Sequence, residues 1–264
     1  MSDEPGNRDG EEQEEQLAEG TLLSHLMEQR TRLIRISIAV IGMFVILLPF
    51  SQKIFVIVSQ PLVDVLPGQK MIATAVASPL LTPFKLTFFV ALFVAMPVVL
   101  YQVWAFVAPG LYKKEKRFAF PLLGSSILLF YAGIAFAYFV VFELVFGFFA
   151  SVTPQSVEMM TDIAAYLDFI TKIFLAFGLA FEVPVATVLI VWTGLTTPEK
   201  LGKARPYVFL MAFVMGMFLT PPDVISQTLL AVPVYLLYEL GIVMSRLFSR
   251  ERRRDTDETV AADS

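Results

Sequence analysis

Six long apolar stretches with hardly any charge constrain what this chain can fold into. The hydrocarbon core of a bilayer is about 30 Å thick, and about 20 apolar residues of helix cross it. Of the 264 residues, 56% are hydrophobic, against about 45–50% apolar residues in an ordinary soluble domain. The stretches are residues 33–50, 86–108, 118–146, 166–192, 206–220 and 227–248. They predict an all-α polytopic membrane protein with six transmembrane helices, forming one membrane domain over residues 21–248.

The basic residues predict the orientation of these helices. Lys and Arg concentrate before the first stretch, between the second and third, between the fourth and fifth, and after the sixth. The exceptions are Lys53, Lys70, Lys85 and Lys172. Positive charge near helix ends is retained on the cytoplasmic side. We therefore expect both the amino and the carboxyl terminus to lie in the cytoplasm.

The two ends of the chain are strongly charged. Residues 1–19 hold eight acidic residues and one base, Arg8. A block of like charge without aromatic residues is typical of disordered, solvated chain. We expect residues 1–20 to form a disordered cytoplasmic tail, and residues 249–264 to form a second, charged cytoplasmic tail.

The fifth stretch is short. Its 15 residues give about 22 Å of helix, and Pro221 and Pro222 follow at once. The bilayer would have to be thin there, or neighbouring helices would have to shield this one. Asp223, next in the chain, is interpreted either as a helix cap or as a contact on the outer face, with capping favoured.

Carboxylates within the apolar stretches are candidate functional groups, because a charge near the bilayer centre costs at least about 2.5 kcal/mol. Glu182, two residues before Pro184, is the strongest. It either joins helices of this chain as a neutral carboxyl or serves an incoming helix or polar substrate. For Glu239 we favour a structural ion pair. Glu143 has Lys172 as a possible partner, and Asp168 is expected to neutralise Lys172 at i,i+4 spacing.

Two further carboxylates interrupt basic clusters. Glu28 precedes Arg30, and Glu115 lies among Lys113, Lys114 and Lys116. One interpretation is that each carboxylate forms a solvated local ion pair of little energetic value. The other is that each accepts hydrogen bonds from a guanidinium group, which carboxylates bind in a two-pronged manner.

The residue types also exclude several functions. The chain has no cysteine and one histidine, which argues against a thiolate or histidine metal site. No nucleotide-binding loop, H-E-x-x-H pair or G-x-S-x-G turn occurs, so no enzymatic activity and no cofactor or metal are expected. We expect no nucleic-acid partner.

Several motifs together resemble those of the TatC family, the multi-spanning subunit of the twin-arginine protein translocase. They are H-L-M-E-Q-R-T-R-L at 25–33, A-S-P at 77–79, Y-Q-V-W-A-F-V-A-P-G-L-Y at 101–112, F-E-V-P at 181–184, R-P-Y at 205–207 and L-T-P-P-D at 219–223. The resemblance extends from about Thr21 to Phe248. It implies a concave six-helix bundle in the bacterial inner membrane.

The resemblance also implies a function. The family binds twin-arginine signal peptides of folded proteins and, with the single-span subunits TatA and TatB, exports them using the proton-motive force, as a homo-oligomer within the receptor complex. The residues at the family's signal-peptide positions are Glu28, Arg30, Phe106, Tyr112 and Glu115. Glu182 matches an intramembrane glutamate that meets a partner helix, and Pro61 and Asp223 match outer-face positions.

Two alternatives remain from the residues alone. One is a proton-coupled small-molecule transporter that uses Glu182 as its relay, and the other is a purely structural membrane scaffold.

Overall fold

The computed structural model describes the backbone of residues 8–65, 71–107, 116–154, 160–220 and 224–262. Side chains are described within 27, 29–64, 71–106, 120–154, 160–220 and 224–247. The described chain is helical throughout, apart from turns and one isolated β-bridge between Ile72 and Asp162.

Ten α-helices follow one another along the described part of the chain. They are α1 (Arg8–Leu47), α2 (Ser51–Val65), α3 (Ser78–Val94), α4 (Met96–Val107), α5 (Lys116–Phe136), α6 (Phe142–Val152), α7 (Ile163–Ala180), α8 (Val183–Trp192), α9 (Pro198–Leu219) and α10 (Val224–Ala262). A 3-10 turn at Leu48–Phe50 joins α1 to α2, and a π-helical segment at Ala137–Val141 joins α5 to α6.

The predicted membrane-spanning architecture is confirmed. Within the described residues, five helical segments are long and apolar enough to span a bilayer: Gln29–Asp64, Phe120–Val152, Ile163–Trp192, Pro198–Leu219 and Val224–Leu247. The pair Ser78–Val94 and Met96–Phe106, bent by 48° at Ala95, brings the number to six when it is counted as one broken span. Pro97 accounts for the bend, because it has no N–H for the Phe93 carbonyl.

Several helix bounds differ from those expected. The first helical path continues beyond Phe50 to Val65, and α9 begins at Pro198 instead of residue 206. The expectation of a short fifth helix is therefore wrong: α9 has 22 residues, or about 33 Å. Thr197 caps its polar first turn by accepting from the Lys200 N–H. Only its apolar part, residues 206–219, is shorter than the thickness of the bilayer core.

The charged ends differ as well. The helix α1 reaches back to Arg8, into the acidic segment for which we expected disorder, and α10 extends to Ala262 through the basic carboxyl-terminal segment. Glu, Gln, Lys and Arg are good helix formers, so a helix that a membrane span has already nucleated can continue through them.

Buried aromatic rings and two glycines, Gly133 and Gly178, form the core between α3, α5, α6 and α7. Phe130, Phe142 and Phe177 are fully buried, and the Phe142 and Phe174 ring centroids are 5.1 Å apart. A Cβ on Gly133 would lie 2.5 Å from the Phe177 carbonyl oxygen. The absence of a side chain at Gly133 thus lets α5 approach the backbone of α7, as small residues do in membrane bundles.

Hydroxyl groups satisfy carbonyls that proline residues leave without a helical partner. Pro61 has no N–H for the Ile57 carbonyl, and the Tyr138 hydroxyl donates to that oxygen at 2.9 Å. At the Pro97 bend, the Tyr131 hydroxyl donates to the Phe93 oxygen at 3.2 Å. These contacts tie α5 and the π segment to the earlier helices.

Asp162 holds the segment before α3 against the start of α7. One carboxylate oxygen accepts from the Ala164 and Ala165 N–H groups, and the other accepts from the Thr74 N–H at 3.0 Å and its hydroxyl at 2.8 Å. The Ala165 N–H and the Thr74 donors lower the pKa of Asp162 from 3.8 to about 2. We call these contacts the Asp162 clasp.

We expect Gly133→Ala to destabilise the protein by about 1–3 kcal/mol, because the new methyl group overlaps the backbone of α7. Gly124→Ala, in the same helix with nothing within 4 Å of the added Cβ, is the matched control and should be nearly neutral. Thermal unfolding of the detergent-solubilised variants measures the difference. An equal loss in both variants would contradict the close approach.

The clasp predicts how stability depends on pH. The folded pKa of Asp162 lies below the ordinary value, so its contribution is complete above about pH 4 and is lost as the pH falls towards 2. Asp162→Ala should lower the unfolding temperature at pH 7, and the gap to the parent protein should narrow as the pH falls from about 4 to 2. Asp64→Ala, which removes an exposed carboxylate bonded to Gln60, is the control. A gap that stays constant with pH would refute the assignment.

Candidate functional site

Glu182 lies at the break between α7 and α8. Pro184 cannot donate to the Ala180 carbonyl, and the chain turns at Phe181 and Glu182 before α8 begins. The Glu182 carboxyl group is half-buried, and the buried Ser126 hydroxyl of α5 donates to its Oε2. The carboxyl group therefore sits among helices at a point where the helical backbone is interrupted.

The second carboxyl oxygen of Glu182, Oε1, differs from the first in its hydrogen bonding. Oε1 is buried and has no hydrogen-bond partner among the residues that the structure describes. A buried polar atom without a partner costs about 1–3 kcal/mol. Both interpretations of Glu182 thus have a geometric basis: Oε2 joins α7–α8 to α5, while Oε1 can accept a hydrogen bond from a further donor.

Glu239 has the structural role expected of it. Arg205 Nε and Nη2 donate to the two carboxylate oxygens of Glu239, each at 2.7 Å, and the Tyr235 hydroxyl donates to Oε1 at 2.9 Å. This two-pronged geometry is the strong form of an Arg–carboxylate contact. It joins α9 to α10.

The expected pairing of the other membrane charges is not found. Asp168, Lys172 and Glu143 all have exposed side chains, and no ion pair within the described part of the chain joins any two of them. The i,i+4 spacing of Asp168 and Lys172 brings them to one face of α7, but exposed Lys side chains can extend towards the interface instead.

The two faces of α1 differ in what they contact. Arg32 faces inward: its Nη2 donates to the Ala105 carbonyl of α4 at 3.1 Å, and its Nη1 to the Gln102 carbonyl and side-chain oxygen at 3.4 Å. Arg30 is exposed and begins a groove of about 450 Å³. The remaining lining residues are Gln29, Leu33, Ile34, Ser37, Ile38 and Ile41. Such a groove can accept apolar side chains.

The structure describes only some of the predicted site residues. Arg30 and Phe106 are exposed, at the start of the groove and in the last turn of α4, and Pro61 is half-buried inside α2. The side chains of the others lie outside the described residues: Glu28, Tyr112, Glu115 and Asp223. The backbone of Glu28 lies in α1, one turn before Arg32.

Sequence reasoning missed the roles of two residues at these sites, Ser126 and Arg32. Nothing in the sequence pairs Ser126 with Glu182, because the pairing depends on how α5 packs against α7. For Arg32 a signal exists: Pro109, four residues after Ala105, has no N–H with which to continue the helical hydrogen bonding. Among the described residues, no three His, Cys, Asp or Glu side chains cluster as a metal site would require.

Comparison with known proteins identifies the family. Residues 24–233 match the family described as "Sec-independent protein translocase protein (TatC)". The protein of that name from Azotobacter chroococcum mcd 1 is 58% identical over 92% of this chain and 93% of its own length. The one from Escherichia coli (strain K12) is 58% identical over 86% of this chain and 88% of its own.

A solved structure agrees with the fold. The crystal structure titled "Twin Arginine Translocase Receptor- TatC" superposes with a TM-score of 0.77 at 37% identity, over 84% of this chain and 98% of that one. The six motifs, from 25–33 to 219–223, all lie within residues 24–233, which match the family. The chain therefore belongs to the TatC family of Sec-independent protein translocase proteins, as a multi-pass membrane component of a protein translocase.

Proposed function

We propose that this chain is the receptor and core subunit of a twin-arginine translocase in the bacterial inner membrane. It binds twin-arginine signal peptides of folded proteins and, with TatA and TatB, supports their export driven by the proton-motive force. The observation that carries the proposal is the packing of α1 on α4 through Arg32. It brings the helical turn of Glu28 next to the end of α4, which Glu115 follows by eight residues in the sequence.

Two carboxylates on separate segments suit a ligand with two adjacent guanidinium groups. Each carboxylate can accept a two-pronged contact from one arginine, whereas a lysine ammonium lacks the planar fork. Glu28 and Glu115 are the proposed acceptors, and Arg30, Phe106 and Tyr112 are proposed as further contacts of the signal peptide. The apolar groove beside Arg30 suits the hydrophobic segment that follows the charged start of a signal peptide.

The basic ends of the helices support the proposed orientation. Lys and Arg flank the helix ends next to this surface, so it faces the cytoplasm together with both termini. Pro61 and Asp223 then belong to the outer face, where Pro61 shapes α2 for its contact with Tyr138. Copies of the chain are proposed to associate within the receptor complex.

Glu182 is the proposed contact for a single-span partner helix. Its free Oε1 can accept a hydrogen bond from a polar side chain on TatA or TatB, which satisfies the buried oxygen. The competing function, a proton-coupled small-molecule transporter, uses the same carboxyl as a relay. Only the relay requires that the side chain gain and lose a proton.

A photocrosslinker at Lys114, which leaves Glu115 in place, should capture a twin-arginine precursor in membranes. Replacing Arg-Arg by Lys-Lys in the precursor should reduce capture by at least about tenfold, because two charge-assisted contacts are lost. A crosslinker at Lys200, exposed at the start of α9, is the positional control. Equal capture of both precursors would refute the receptor function.

Replacements of Glu182 separate the two functions. Glu182→Gln keeps an acceptor and should retain export and co-purification of the partner subunits, whereas Glu182→Ala and Glu182→Lys should insert normally and lose both. Glu143→Gln, which alters an exposed carboxylate of α6, controls for the loss of a membrane charge. A Gln variant as inactive as the Ala variant would favour the proton relay instead.

A further inference from the structure

One buried face of α5 places the Ser126 hydroxyl beside α7. Ser126, Phe130 and Gly133 follow one another at i, i+4 and i+7 spacing, and all three are buried. A Cβ on Gly178 would lie 2.7 Å from the Phe130 ring, and one on Gly133 would meet the Phe177 carbonyl oxygen. Such close packing leaves α5 little freedom to turn or slide along α7. Packing therefore fixes the place of the Ser126 hydroxyl.

The neighbouring serine of α5 uses its hydroxyl differently. A serine hydroxyl inside a helix commonly bonds to a carbonyl of the preceding turn of the same helix. Ser125 does so, because its Oγ donates to the Leu122 oxygen at 2.8 Å. Ser126 instead donates to Oε2 of Glu182, 56 residues further along the chain. The Ser125 hydroxyl thus bonds within its own helix, whereas the Ser126 hydroxyl links α5 to the α7–α8 break.

The hydrogen bond from Ser126 fixes a carboxyl group that could otherwise turn. The last torsion angle of a glutamate side chain has only broad preferences, so the side chain does not set the plane of its own carboxyl group. Among the described residues, Ser126 holds Oε2 of Glu182, while Oε1 is buried and has no partner. Because Oε1 is enclosed, an approaching donor can reach it only over a narrow range of directions. The Ser126 hydroxyl keeps these directions constant.

We propose that Ser126 is a positioning residue for the contact between Glu182 and a single-span partner helix. Its hydroxyl holds Oε2, so that Oε1 is the oxygen that accepts the hydrogen bond of the partner. Ser126 is itself buried and acts through Glu182. A hydroxyl can also accept, so it can hold the amide nitrogen of Glu182→Gln and leave the amide oxygen for the partner. The inference rests on the proposed function, but the hydrogen bond can be tested without it.

The first experiment tests the hydrogen bond in the absence of any partner. The full chain is placed in nanodiscs with carbon-13 at its glutamate carboxyl groups, and the solid-state NMR signal of Glu182 is the one missing in Glu182→Gln. This signal should shift in Ser126→Ala, because Oε2 loses its donor. Ser125→Ala, the matched control, should leave the signal in place. An identical Glu182 signal in Ser126→Ala and the parent would overturn the inference, whether or not the chain binds partner helices.

The second experiment measures the partner contact in membranes. A photocrosslinker at Leu179, exposed on α7 and three residues before Glu182, should capture co-expressed TatA or TatB. Capture per folded chain should fall by about fivefold in Ser126→Ala, because the acceptor oxygen is no longer held in place. Ser125→Ala should capture as much as the parent. Unchanged capture in Ser126→Ala would overturn the positioning role.

Ser126→Thr separates positioning from packing. Threonine keeps the hydroxyl but adds a methyl group at a buried position, whereas alanine only removes the oxygen. Positioning predicts that Ser126→Thr captures more partner than Ser126→Ala does, and packing predicts the reverse order. The reverse order would overturn the inference. If Ser126→Thr does not accumulate in the membrane, Ser126→Cys, which keeps a weak donor, takes its place, and capture no higher than in Ser126→Ala would then overturn the inference.

The same measurements distinguish failure of the inference from failure of the proposed function. A parent chain that captures neither subunit would refute the proposed function. A parent chain that captures a subunit, together with equal capture in Ser126→Ala, would refute only the positioning role of Ser126.

Discussion

The requirement that every backbone carbonyl in a membrane find a donor organises this structure. Lipid offers no hydrogen bonds, so a helix interrupted by proline needs help from its neighbours. Tyr138 supplies a donor for the carbonyl that Pro61 leaves without a helical partner, Tyr131 supplies one at the Pro97 bend, and Arg32 donates at the end of α4. Each such donor comes from a different helix than the carbonyl it satisfies. The carbonyls at Pro61 and Pro97 are therefore also points at which one helix is linked to another.

The same requirement explains why Glu182 lies where it does. Pro184 interrupts the helix, and the carboxyl group of Glu182 enters the gap beside Ser126. A polar group is tolerated there because the backbone is already irregular and neighbouring helices surround it. The α7–α8 break thus combines a bend in the bundle with the one described carboxyl oxygen that is buried and without a partner.

Hydropathy predicted the spans and their order well, because the apolar stretches are long and the basic residues flank them. It failed where a helix is longer than its apolar stretch. Helix α9 begins eight residues before residue 206, in a polar turn that Thr197 caps. Composition failed in the same way for the acidic amino-terminal segment, where α1 already begins at Arg8. Partners across helices, such as Ser126 for Glu182, depend on rotation and register, which a single sequence does not reveal. Arg30 and Arg32 look equivalent in the sequence for that reason.

The Asp162 clasp has a consequence for how the helical bundle responds to pH. A carboxylate with a pKa of about 2 stays ionised under mild acidification. The link between the segment before α3 and the start of α7 therefore behaves as a constant of the structure over the physiological range. A change of pH within that range therefore has to act through other groups.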